Sequence, residues 1–203
     1  MVTTCRVKGG CSVRRILNVP MVMAVLVVAA CNGNGVSATV IPSTVGSDRV
    51  CRMLSASDVR TVAGSVQPKV RRENINLDPV QGWLLGAACI LDAGDVSLSL
   101  TVDWVSQAAD RTRAKAELST PADSDARMFP AEAGTGFVRT TRSTPSEVSG
   151  SLLRGQYRID VSLAGAPKVR DAAADAQALV LQVAEALAIP VSESAARPKA
   201  PRD

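Results

Sequence analysis

The nine residues Val96–Trp104 alternate without a break. Val96, Leu98, Leu100, Val102 and Trp104 fall on one side of an extended chain, and Ser97, Ser99, Thr101 and Asp103 on the other. Successive side chains of a strand point to opposite faces, so a period of two commits the segment to a sheet with one apolar and one polar face. Such a sheet is antiparallel, because parallel strands are usually covered on both sides. Just upstream lie the short apolar run Ala87–Leu91 and the turn residues Asp92-Ala93-Gly94-Asp95. This spacing predicts a hairpin whose first strand carries Cys89. The same alternation returns in Gln156–Leu163, with Tyr157, Ile159, Val161 and Leu163 set against Arg158, Asp160 and Ser162. Gly136–Thr141 reads as a further strand with Phe137 inward.

Helical patterns surround these strands. Leu54-Ser55-Ala56-Ser57-Asp58-Val59 is a helix start: the Ser55 hydroxyl can cap free N–H groups, and Asp58 suits the positive helix end. Val59, Val62, Ala63 and Val66 then share a face, and Gly64 and Pro68 close the segment. Lys69–Gln81 is polar and irregular and reads as a solvated loop around Arg71, Arg72 and Glu73. Ser106–Leu118 reads as a surface helix with a charged face, and Ser119–Thr135 as a loop. Lys168–Ala188 carries an apolar stripe, Val169, Ala173, Ala176, Val180, Val183 and Leu187, and predicts a long C-terminal helix ended by Pro190. The order of elements predicts an α+β fold: a small antiparallel β-sheet with flanking helices.

The N-terminal part addresses the chain. Arg6, Lys8, Arg14 and Arg15 precede the apolar stretch Ile16–Ala30, which is interrupted by Asn18 and Pro20 and falls short of the roughly 20 residues a spanning helix needs. Val28-Ala29-Ala30-Cys31 has the small residues before a cysteine that a lipoprotein signal peptidase cuts. The expected cleavage lies between Ala30 and Cys31, and Cys31 then carries diacylglycerol and acyl groups such as palmitate. This predicts a signal peptide over 1–30 and a lipid-anchored tether, rich in Gly, Ser and Thr, over 31–48. A single globular domain follows over 49–190, then a polar disordered tail over 191–203. The expected location is the outer, extracytoplasmic face of the cell membrane, with a soluble secreted form lacking the lipid as the alternative.

Composition removes several function classes. Subtracting the four basic residues of the signal from the 23 in the chain leaves 19, against 19 acidic residues, so the mature part is formally neutral. A charge-driven nucleic-acid partner is not expected, and five aromatic residues are too few for a base-stacking platform. The chain has no histidine, which removes Ser-His-Asp and Cys-His catalysis and the usual zinc sites. No metal and no cofactor is expected. Abundant Arg, Ala and Val fit a GC-rich genome such as an actinobacterium's.

With Cys31 lipidated, Cys51 and Cys89 are the cysteines left in the mature chain, an even pair in an oxidising compartment. A Cys51–Cys89 disulfide follows from that count. Carboxylates are scattered, with Asp58 explained as a capping group and Asp103 as the solvent face of a strand. Gly134-Thr135-Gly136 is too short for a phosphate loop, and Gly150-Ser151 sits in a turn-like stretch without a Gly-x-Ser-x-Gly elbow. No catalytic residue is identified, and the chain is read as a non-enzyme.

A lipobox cysteine, a Ser/Thr/Gly-rich tether and then Cys51-Arg52-Met53-Leu54-Ser55-Ala56-Ser57-Asp58-Val59 resemble the opening of actinobacterial lipoproteins of the domain-of-unknown-function 3558 family. In that resemblance, Cys89 takes the place of the second cysteine on the first central strand, and Ala172–Leu187 that of the closing Ala/Leu-rich helix. Ile90-Leu91 stand where members often have a tryptophan. The resemblance implies location and a disulfide, and no activity. Two readings follow. The first is an envelope lipoprotein whose domain binds an envelope protein, glycan or lipid without catalysis. The second is a carboxylate-based cell-wall hydrolase.

Overall fold

The structure, a computed structural model, describes residues 41–123, 125–141 and 146–199. These lie within one compact unit, Val36–Asp203. The cleavage junction, Cys31 and the first part of the tether lie outside the described residues, as do residues 200–203.

The chain runs through β1 (Arg49–Val50), β2 (Leu54–Ser55), α1 (Ala56–Val62), β3 (Lys69–Leu77), β4 (Leu84–Ala93) and β5 (Val96–Trp104). It continues through α2 (Ala108–Ser119), β6 (Arg127–Met128), β7 (Thr135–Thr141), β8 (Glu147–Arg154), β9 (Tyr157–Ala164) and α3 (Ala172–Ala186). Seven strands form one antiparallel sheet in the order β3-β4-β5-β9-β8-β7-β6, and β1 and β2 form a separate two-stranded one. The sheet is larger than the small one expected, because three of its strands escape a reading of hydrophobic pattern: the two-residue β6, inside the loop expected over Ser119–Thr135, and two longer ones.

The first of the longer ones is β3. Its residues are almost all exposed, only Ile75 and Leu77 packing against the core, because an edge strand covered at one end needs no sustained apolar alternation. Pairing with β4, from Lys69↔Asp92 to Leu77↔Leu84, defines it. The expected loop over Lys69–Gln81 is therefore corrected, although Arg71, Arg72 and Glu73 are solvated as expected. The second is β8, whose Gly150-Ser151 was expected in a turn. Val148, Gly150 and Leu152 face Leu163, Val161 and Ile159 of β9 in register, so the apolar period passes through a glycine that hides it. A Cβ at Gly150 would press on methyl groups of Val138 and Val161 at 3.1 Å and lie 3.7 Å from Val180. The missing side chain leaves room for the valines of the neighbouring strands β7 and β9.

One face of the sheet carries the main core. Leu98, Leu100, Val102, Ile159, Val161 and Leu163 are buried there with Ala176, Leu179, Val180 and Val183 of α3. β1, β2 and α1 join the same core through Met53, Leu54, Val59 and Val62, and the Cys51–Cys89 disulfide, with Cα atoms 5.9 Å apart, ties this corner to β4. Ser55 caps α1 as expected, its hydroxyl accepting from the Asp58 N–H at 3.4 Å. Val66 lies beyond the end of α1 and is exposed, because Gly64 and Ser65 turn the chain at positive φ. α3 starts at Ala172 rather than Lys168, since Asp171 caps it by accepting from the Ala174 N–H at 3.0 Å, and Val169 stays in solvent.

Asp58 does more than cap. Gln182, fully buried on α3, donates to the Asp58 carboxylate at 2.7 Å and to the Pro42 carbonyl at 2.7 Å, and accepts from the Ser55 N–H at 3.2 Å. Nearby, Asp175 is buried and receives two bonds from Arg170, at 2.7 and 2.6 Å, so this buried charge is paired. The Asp175 hydrogen bond raises the Arg170 pKa.

The tail is also corrected. Residues 191–199, expected to be disordered, run back along the sheet. The Leu84 N–H donates to the Pro198 carbonyl at 2.9 Å, and Trp83 and Lys199 form an antiparallel bridge. Gln156 donates to the Glu193 carbonyl at 2.6 Å and Arg111 to the Glu193 carboxylate at 3.1 Å. Tertiary partners order a segment whose composition is that of a solvated coil.

Candidate functional site

The second face of the sheet is the polar half of the alternation. Strand register sets its side chains in rows. Ser99, Ser162, Ser149 and Arg139 lie side by side across β5, β9, β8 and β7. Thr101, Asp160, Ser151 and Phe137 make the next row on the same strands. α2 covers one end, packing Ala114 and Leu118 on Leu153 with Val105 and Phe137. Phe137 is thus inward toward this small cluster and not toward the main core. Among the described residues the sheet beyond α2 is uncovered, and an open hollow of about 350 Å³ lies there.

Its floor is Ser99, Thr101, Ser149, Ser151, Asp160 and Ser162. Arg139 and Arg158 stand on the floor, and Glu117, Leu118 and Phe137 form the α2 side. Hydrogen bonds hold the polar groups in place. Arg158 donates through Nε to both Asp160 oxygens, at 3.1 and 2.9 Å, and the Ser151 hydroxyl donates to the same carboxylate. Ser162 donates to Glu147 at 2.6 Å, and Arg139 donates to the Ser149 hydroxyl at 3.2 Å. The Arg139 and Arg158 forks keep further N–H donors beyond these bonds. Hydroxyl groups that both donate and accept, flanked by guanidinium donors and carboxylate acceptors, suit a ligand with many hydroxyl groups.

The hollow offers less for catalysis. Its serines have no imidazole to take a proton, since the chain lacks histidine. Its two carboxylates are Glu117 and Asp160, and Asp160 is already committed to Arg158 and Ser151. Among the described residues no group of three or more His, Cys, Asp or Glu is placed to hold a metal ion. Among them, too, no helix is long and apolar enough to cross a membrane.

The residues singled out in the sequence lie elsewhere. Cys51 and Cys89 are joined on the opposite face. Asp58 is in the buried polar knot, and Asp103 is exposed at the end of β5. Gly134-Thr135-Gly136 leads into β7 and builds no loop for a phosphate. Ser149 and Ser151 were missed because Gly150 broke the apolar half of their strand. The alternation of Val148, Gly150 and Leu152 with Ser149 and Ser151 was the available signal. Compared with protein-family models, curated proteins and solved structures, the chain matches none.

Proposed function

We propose that the chain is a cell-envelope lipoprotein, anchored by acyl groups on Cys31, whose α+β extracytoplasmic domain binds a glycan of the envelope in the polar hollow. The observation that carries this reading is the row-ordered floor of Ser99, Thr101, Ser149, Ser151 and Ser162 with Arg139 and Arg158 standing over it. Half-buried hydroxyl groups on strands are pre-positioned, and Ser149 and Asp160 hold the exposed Arg139 and the half-buried Arg158, so the ordering cost left for binding is reduced. The likeness of the N-terminal motifs to actinobacterial lipoproteins supports the location. A cell-wall hydrolase using Glu117 and Asp160 is the second reading. It is disfavoured because the Asp160 carboxylate is taken by Arg158 and Ser151.

The test has two arms. Intact-mass analysis of membrane-fraction protein is expected to show a diacylglycerol-sized addition on Cys31 that disappears, together with membrane association, in Cys31→Ala. Titration of soluble cell-wall polysaccharide fragments against the full chain is expected to give saturable binding, weakened about tenfold or more by Arg139→Ala or Thr101→Val, which lose about one or two hydrogen bonds. Binding that ignores both substitutions would sink the hollow as the site. Release of sugar fragments that stops in Asp160→Asn would replace it with the hydrolase reading.

A further inference from the structure

The chain has two tryptophans, and the tail closes on both. Trp83 precedes β4 and Trp104 ends β5, on neighbouring strands that stop pairing at Gly86↔Asp103. Past that point the two chains diverge, and the tail enters beside β4. The Arg197 guanidinium carbon lies 3.9 Å from the centre of the Trp83 ring and 4.1 Å from that of Trp104. A flat cation is thus held face-on by two indoles, the best of the aromatic partners for a cation. The Trp104 N–H donates to Gln156 at 3.0 Å, which fixes that ring, and Gln156 in turn holds the Glu193 carbonyl.

The buried Nη1 of Arg197 has no hydrogen-bond partner among the described residues. A buried donor left without an acceptor opposes docking, so ring faces and charge, not hydrogen bonds to Nη1, retain the guanidinium. Asp78 supplies part of that charge. Its carboxyl is held below the usual range first by the Gln81 and Val80 N–H groups, and it also feels Arg197. The backbone contributes the Leu84–Pro198 hydrogen bond and the Trp83–Lys199 bridge. The arrangement has the two elements of extended-peptide recognition: strand addition for affinity and a side-chain slot for specificity.

We propose that the Trp83–Trp104 slot is a peptide-binding site for an extended segment carrying arginine, and that the chain's own 191–199 segment occupies it as an internal, exchangeable ligand. A partner protein presenting an arginine in extended conformation displaces the tail and takes the place of Arg197. This site is separate from the hollow and does not rest on it.

Because both tryptophans line the slot, intrinsic fluorescence of the full chain in detergent reads it directly. Two variants open it: Arg197→Ala, and a chain ended after Ala196. Circular dichroism checks that each is folded. Both are expected to shift emission to the red and to increase quenching by acrylamide. The probe is a peptide with the sequence of residues 196–199, compared with the same peptide carrying alanine at the arginine position. The arginine peptide is expected to reverse the shift saturably. It should bind the opened variants about tenfold or more tightly than the intact chain, and about tenfold or more tightly than its alanine counterpart does, as loss of a two-ring cation contact implies. Folded variants with unchanged emission would overturn the proposal. So would arginine and alanine peptides that bind equally, or not at all, leaving Arg197 a structural clasp.

Discussion

Replacing Gln182 by leucine tests the buried polar knot with little change in shape. The glutamine makes three bonds inside the protein: to Asp58 at 2.7 Å, to the Pro42 carbonyl at 2.7 Å and from the Ser55 N–H at 3.2 Å. Leucine makes none, leaving a backbone donor, a backbone acceptor and one carboxylate oxygen without this partner. Each stranded group costs roughly 1–3 kcal/mol, and burying leucine in place of an amide returns part of that. A net loss of about 3 kcal/mol follows, several times the effect of a typical surface substitution. Urea unfolding of the full chain, followed by circular dichroism, measures it as a fall in midpoint at constant slope. Gln182→Glu supplies a second signature. It sets two carboxylates side by side, so protonating one of them relieves repulsion, and the variant's stability falls as pH rises through the carboxylate range. A loss under about 1 kcal/mol in Gln182→Leu would refute the claim that this knot joins α3 to the start of α1, because stranded groups of this kind cannot be that cheap.

Removing the disulfide as Cys51→Ala with Cys89→Ala is expected to cost about 4 kcal/mol, the loop-closure value for a separation of 38 residues, read from the same unfolding curves. The Asp171 carboxyl predicts an acid limb. Burial pushes its pKa up, but the hydrogen bonds from Arg127 and the Ala174 N–H outweigh this and hold it below 3.8. A carboxyl depressed in the folded state stabilises above its unfolded pKa, and that contribution is lost as pH falls through the folded value. Thermal scans from about pH 5 down through the ordinary aspartate range and beyond should therefore show a shallower decline in Asp171→Asn. The difference should stay under about 1 kcal/mol, because the pair is partly exposed.

Much of the local structure was legible from residue order. Strict alternation in Val96–Trp104 and Gln156–Leu163 committed those segments to strands, and their polar halves became the floor of the hollow. Ser55 marked the start of α1, and the cysteine count paired Cys51 with Cys89. These are local or combinatorial signals: a period of two, a hydroxyl that meets a free N–H, an even number of thiols. The tertiary structure alone decided β3, which has no sustained apolar alternation and exists because β4 lends it hydrogen bonds. It also decided β8, where Gly150 removes a side chain that would crowd Val138 and Val161 on the neighbouring strands. The Gln182 knot joins groups 124 residues apart, and the Arg197 stack needs two strands to diverge at the right place. Composition read the tail as a solvated coil. Long-range partners reversed that reading, since the free energy that orders such a segment comes from surfaces elsewhere in the chain.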